Sequence, residues 1–303
     1  MIFNLENSIN ERVILRHNED VEVYLKREDA IHPIISGNKY RKLKYNVAFA
    51  KENNDGTLLT FGGAFSNHII ATAAAGKSAG LKTIGIIRGE ELAKKTVHNE
   101  TLEYAKRCGM HLKFVSREQF RDKSNPEFLN ALENEFGSFY AVPEGGTNDL
   151  AVKGCEEILS EGDKSFDVVC ASVGTGGTIS GLINSSNPNQ KILGFSALKG
   201  SFLQEDISKF ANRKNWELIT DYHFGGYAKI KPELITFINQ FKAQNDIPLD
   251  PIYTGKMLFG ISDLIKKGYF AKGTKILAIH TGGLQGIAGM NAILKQKELP
   301  LIQ

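Results

Sequence analysis

The sequence predicts an α/β fold of parallel sheets with helices on both faces, and three observations carry that expectation. Short β-rich runs alternate with stretches of helical apolar spacing along most of the chain. Three glycine-rich turns follow expected strands, where α/β folds place their ligands. No internal repeat or low-complexity segment interrupts the alternation.

The expected strands are 21–26, 57–61, 83–87, 112–115, 139–142, 168–172, 191–195 and 276–280. The expected helices between them include 39–52, 67–79, 97–108, 126–136, 149–160 and 259–267. The four strands between 57 and 142 can form a small sheet of their own. That divides the 303 residues into a larger discontinuous domain, 1–45 and 147–303, and a smaller α/β domain, 46–146.

Composition excludes several classes. A net charge of +3 gives no electrostatic footprint for nucleic acid or an anionic membrane. Cys108, Cys155 and Cys170 are odd in number and show no C-x-x-C spacing, which argues against a disulfide framework and a zinc site. The histidines are not clustered, so no metal is expected. Free cysteines, no recognisable signal peptide and no apolar run near the roughly 20 residues of a membrane span point to the cytoplasm.

The three turns are Gly62-Gly63-Ala64-Phe65-Ser66-Asn67-His68, Gly174-Thr175-Gly176-Gly177-Thr178 and His280-Thr281-Gly282-Gly283. Glycine permits close backbone approach to a ligand, although one such turn can be plain turn chemistry. The second opens a helix near Ile179 with free N–H groups and two threonine hydroxyls, a setting for one phosphate. A P-loop would need Gly-Lys-Ser/Thr at its end, and a dinucleotide fingerprint would need glycine at Ile179; neither is present. A Rossmann-type oxidoreductase is therefore disfavoured.

The basic run from Lys39 to Lys44 has three readings: a solvated helix face, a nucleic-acid patch, or a desolvated amine nucleophile at a helix start. Its flanks decide. Lys26-Arg27-Glu28-Asp29 with Gly37-Asn38-Lys39-x-Arg41-Lys42-Leu43 resembles fold-type II, tryptophan synthase β-like enzymes that use pyridoxal 5′-phosphate (PLP). More narrowly, it resembles the family of 1-aminocyclopropane-1-carboxylate (ACC) deaminase and D-cysteine desulfhydrase. The three glycine turns and Asp250-Pro251-Ile252-Tyr253-Thr254-Gly255-Lys256 match that family's blocks in order, from residue 26 to 283.

The resemblance implies a role for each matching residue. Lys39 holds PLP as a Schiff base, and the cofactor acts as electron sink. Lys42, Gly174, Thr175, Gly176, Gly177 and Thr178 surround its phosphate, with a surface position the alternative for Lys42. Asn67 bonds the pyridine 3′-oxygen, and Thr281 lies in the last glycine turn. Ser66, Asn67 and His68 bind the substrate carboxylate at a helix start. Ser66 moves protons at Cα or attacks as a nucleophile, and an N-cap role is compatible with either. Tyr253 is the general acid or base, and Tyr227 supplies a second active-site tyrosine.

Thr254 is expected at the pyridine nitrogen, where ACC deaminases of the family carry glutamate. A hydroxyl there gives pyridinium no negative charge, so the sink is weaker. A weaker sink suits α,β-elimination, as of D-cysteine to pyruvate, ammonia and sulfide. ACC opening to 2-oxobutanoate and ammonia, and a non-catalytic PLP-binding module, are the alternatives. The stretch 197–230 matches no family pattern, so the part of the pocket it builds is not legible. A small amino acid is the expected partner and a homodimer the expected assembly.

Overall fold

The computed structural model describes residues 3–16, 20–35, 37–53, 56–93, 99–200 and 202–303. Two sheets organise the chain. The larger contains β1 (Asn10–Arg12), β2 (Glu22–Lys26), β7 (Val168–Val173), β8 (Lys191–Ser196), β9 (Trp216–Ile219) and β10 (Lys275–Ile279), in the order β1-β2-β10-β7-β8-β9. The smaller contains β3 (Thr57–Gly62), β4 (Lys82–Arg88), β5 (His111–Val115) and β6 (Tyr140–Val142), in the order β5-β4-β3-β6. All pairings are parallel except β1 with β2, where Asn10 faces Lys26.

Each expected strand is present with both ends within one residue. Strands β1 and β9, both at sheet edges, were not anticipated; three and four residues are too few to establish a period. The helices are α1 (Asn38–Asn53), α2 (Asn67–Ala79), α3 (Glu100–Arg107), α4 (Arg117–Arg121), α5 (Pro126–Phe136), α6 (Asp149–Glu156), α7 (Gly177–Ser185), α8 (Phe202–Ser208), α9 (Pro232–Asn245), α10 (Thr254–Lys266) and α11 (Gly286–Gln296).

Three helix boundaries differ from expectation for local reasons. Helix α3 starts at Glu100 because Asn99 Oδ1 accepts from the Leu102 amide; residues 97 and 98 lie outside the described residues. Helix α6 stops at Glu156, and Ser160 forms a capping box with Asp163 at the start of the next turn. Helix α10 begins five residues early, at Thr254, for a reason that belongs to the site. The unanticipated α9 carried a readable signal: Pro232 in its first turn, then Leu234, Ile235, Ile238 and Phe241 on one face.

Every residue of β3 and of β7 is buried, which is why these strands read as mostly apolar runs without a period of two. Across the large sheet, Cys170, Leu193 and Ala278 pack with Ile238 of α9 and Leu258 of α10. Their neighbours Val169, Ile192 and Leu277 pack on the opposite face with Ile179 and Leu182 of α7. In the small sheet, Leu59 and Phe61 pack with Phe120 and Leu132, while Ile87 packs with Ile69 and Leu102. Helix α1 serves both sheets: Gly37, just before it, lies on Thr281 after β10, and Ala50 near its end packs with Leu58 and Val142.

Candidate active site

The lysine loop is held by a buried carboxylate. Glu28 is fully buried and accepts from Arg41 Nε and Nη2, both at 2.8 Å, while Ser8 Oγ donates to it at 2.5 Å. Its backbone carbonyl accepts from the Gly37 amide at 2.8 Å. The two sequence blocks around Glu28 and Lys39 are therefore one construction; removing one member of such a buried pair typically costs about 3–5 kcal/mol. Gly37 has φ +56°, and a Cβ there would sit 2.2 Å from the Thr281 carbonyl oxygen. Only glycine lets the loop lie on the β10 turn. Lys39 follows, half-buried; burial, and then the Lys42 charge, lower its amine pKa to about 7. An amine that is partly neutral at physiological pH is a competent nucleophile.

Lys42 is buried, not on the surface, and burial lowers its pKa to about 8. Its Nζ donates to the Gly145 carbonyl and Thr147 Oγ1 at 3.0 Å, and to Thr175 Oγ1 at 3.4 Å. No carboxylate pairs with it among the described residues. The loop it faces runs from β7 into α7, with Gly176 in the left-handed region at φ +82° as N-cap and no side chain over the helix start. Thr175 and Thr147 hydroxyls lie 2.6 Å apart, and Asn38 Nδ2 donates to Thr178 Oγ1 at 2.9 Å. Behind the loop, Cys155 is fully buried, so close to Gly181 that a Cβ on Gly181 would lie 2.5 Å from its own Cβ. Burial pushes the Cys155 thiol up to about 11.

At the second turn, Ser66 Oγ accepts from the His68 and Ile69 amides at 3.2 and 3.3 Å and so caps α2. That hydroxyl keeps its own proton free to donate. Asn67 Oδ1 is buried and has no partner among the described residues, leaving this side chain short of a hydrogen bond there. His68 is a correction to the expected carboxylate ligands. Its ring is buried and turned to Thr60, at 2.9 Å from Nε2, and Thr60 in turn donates to the Val142 carbonyl. The Thr60 proton is thereby used, so Nε2 carries the imidazole proton. Burial, then the Lys39 and Lys42 charges, hold this ring neutral with its pKa well below the usual value. Its amide is taken by Ser66, which leaves the Asn67 backbone N–H as the donor without an acceptor among the described residues.

Helix α10 starts where it does because Asp250 gathers its first amides. The buried carboxylate accepts from the backbone of Ile252, Tyr253 and Thr254 at 2.8–2.9 Å and from Thr254 Oγ1 at 2.6 Å. This places Tyr253 in the cavity, with its ring 3.1 Å from where a Cβ on Gly174 would stand. Burial, then Tyr227 and Asp250, raise the Tyr253 phenol well above 10. The Tyr227 ring lies edge-on to it, centroids 6.3 Å apart. Thr254 is the second correction. It is fully buried, its hydroxyl is committed to Asp250, and it does not line the cavity. Ser172, next to the end of β7, and Thr281 both line it, their hydroxyls 3.5 Å apart.

The cavity brings together Lys39, Lys42, Asn67, Gly174, Thr175, Gly176, Thr178, Tyr253 and Thr281. Ser66, His68, Gly177, Tyr227 and Thr254 lie outside its lining. Sequence reasoning missed Asn38, Ser172 and Gln285, which do line it; only Asn38, inside the lysine block, carried a signal. The buried, uncompensated Lys42 ammonium beside the α7 start fits a phosphate, and the low-pKa Lys39 amine fits a carbonyl carbon. The two hydroxyls and the unpartnered Asn67 amide fit a polar ring. No helix is long and apolar enough to cross a membrane among the described residues.

Comparison with known proteins agrees with this fit. A Pyrococcus horikoshii protein, named provisionally as an ACC deaminase, is 33% identical over 288 residues, covering 88% of this chain and 85% of that protein. The bifunctional D-cysteine desulfhydrase/ACC deaminase of Arabidopsis thaliana, a mitochondrial protein, is 31% identical over 295 residues, 88% of this chain and 73% of its own. The crystal structure of an ACC deaminase homologue superposes with a TM-score of 0.80 at 28% identity, covering 96% of this chain and 93% of that one. The family model described as pyridoxal-phosphate dependent enzyme matches residues 13–282, and the chain belongs to that family.

Proposed function

We propose that the chain is a lyase of the D-cysteine desulfhydrase type, releasing sulfide, ammonia and pyruvate from D-cysteine. One observation carries this reading: among the described residues no carboxylate lines the cavity, whose polar lining includes the hydroxyls of Ser172 and Thr281. With no negative charge beside it, a ring nitrogen is not kept protonated.

PLP, when bound, supplies the electron sink that makes the bond changes at Cα and Cβ accessible. Lys42 and the start of α7 would bind its phosphate, and Lys39 its carbonyl carbon. The Asn67 backbone N–H would receive the substrate carboxylate. Freed from the cofactor, the Lys39 amine has a pKa suited to taking the Cα proton near neutral pH. Tyr253, protonated at any physiological pH, is suited to give a proton to the departing sulfur. Ser66, polarised by two amides, can hold or pass a proton at the same face. The names of the Pyrococcus and Arabidopsis relatives support ACC as the second substrate reading. A cytoplasmic homodimer divided into 1–45 with 147–303 and 46–146 completes the proposal, supported by free cysteines, the two separate sheets and the family pattern.

The test offers D-cysteine and ACC separately to purified PLP-loaded protein. Sulfide and pyruvate from D-cysteine, lost in Lys39→Ala, are expected. 2-Oxobutanoate from ACC with no sulfide from D-cysteine would overturn the reading in favour of the deaminase.

A further inference from the structure

Lys256 is 98% buried and faces no carboxylate within ion-pairing distance among the described residues. Its Nζ instead donates to two backbone carbonyls, His223 at 2.9 Å and Gly226 at 2.8 Å. Those two carbonyls already accept the closing bonds of consecutive turns, from Gly226 N at 3.0 Å and Lys229 N at 3.2 Å. Between them the backbone is contorted: Phe224, Gly225, Gly226 and Ala228 all have positive φ, and two of these are not glycine. Such a path persists only when its surroundings hold it. Phe224 anchors it by packing edge-on against Phe259 at 5.0 Å, and Lys256 ties its carbonyls. The residue the turn presents is Tyr227, whose ring stands against Tyr253.

A buried ammonium is costly where an apolar side chain would pack without desolvation. Its use here buys a fixed turn. We propose that Lys256 is a positioning residue for the substrate side of the site, acting through the 223–227 turn to hold Tyr227 against Tyr253. The turn lies in the stretch 197–230, where the sequence shows no legible motif, and Lys256 fastens it to α10. This rests on the reading of Tyr253 and Tyr227 as substrate-facing.

The test is a double-mutant cycle of Lys256→Met and Tyr227→Ala on PLP-loaded protein. It is read first as the dissociation constant of D-alanine, which has no leaving group, from the visible cofactor band, and then as kcat/KM for D-cysteine. Lys256→Met is expected to weaken D-alanine and lower kcat/KM by ~10-fold to ~100-fold, a range set by displacement of a positioned group. PLP affinity should hold within about twofold, and amide exchange at 224–229 should accelerate. In the Tyr227→Ala background the same change should cost less than about threefold, the non-additivity of coupled residues. Equal losses in both backgrounds, or faster exchange with unchanged D-alanine binding, would overturn the proposal. If Lys256→Met does not accumulate in soluble form, Lys256→Gln, which keeps one donor, enters the same cycle. A wild-type protein that binds D-alanine but releases no sulfide would end the desulfhydrase reading and leave this test intact.

Discussion

At one end of the cleft stand a glycine loop and the Lys42 ammonium, the proposed phosphate end; at the other, two tyrosine rings pack together, one carried by a helix start and one by an irregular turn. The first end uses backbone amides and a cation; it joins Lys42 to Thr175 across 133 residues of chain, yet each partner sits in a motif the local sequence announces. The second joins Tyr253 to Tyr227 across 26 residues of chain, through a turn whose shape no local pattern announces. Cofactor affinity should therefore depend on the first end and substrate handling on the second, and substitutions can break that division.

Lys39→Ala should give the largest effect: no visible lysine-linked band and turnover reduced to background, seen in one absorbance scan and one assay. Tyr253→Phe comes next. Loss of a general acid predicts a fall in kcat of ~100-fold to ~10⁴-fold with PLP affinity unchanged. A matched fall in PLP affinity would mean that the two ends are not separable. Lys42→Met should do the reverse. Removing a charged hydrogen-bond donor worth about 1.5–3 kcal/mol weakens PLP by ~10-fold to ~100-fold, with KM for substrate nearly constant once PLP saturates. Thr254→Val should leave the visible spectrum unchanged and lower stability by about 1–3 kcal/mol, because buried Asp250 loses a donor. A spectral shift in that variant would return Thr254 to the cofactor ring.

The smallest expected effect is a pH dependence. Lys39 and Lys42 have folded pKa values near 7 and 8, below the 10.5 of an ordinary lysine. The unfolded chain thus binds more protons than the folded one between these values and 10.5, so stability of the PLP-free protein rises with pH across that window. In Lys42→Met the rise from pH 8 to pH 10 should be shallower, by thermal melting of both proteins side by side.

The sheets and the glycine turns that line the cavity were legible because backbone chemistry dictates residue type there. Gly37 and Gly176 occupy positive-φ positions, and buried parallel strands such as β7 demand mostly apolar runs. Thr254 was misread because its neighbour Asp250, four residues earlier, needs its hydroxyl; a motif match conveys adjacency but not which groups are already paired. His68 shows the same limit, since its destination at Thr60 depends on a strand eight residues away in sequence but opposite in space. Ser172 and Gln285 enter the cavity by fold geometry alone, and no local pattern marks them.

The burial of Cys155 turns this thiol into a clock for the cleft. Its contact with Gly181 means that a labelling reagent can reach it only when α6 and α7 part, and parting them dismantles the phosphate loop at the start of α7. Half-exposed Cys108 would label promptly and serve as the internal standard. A ligand that binds the closed form alone lowers the open population in proportion to its saturation. The lag between the two cysteines would then count how often the cleft falls open, with no need for a substrate or for turnover.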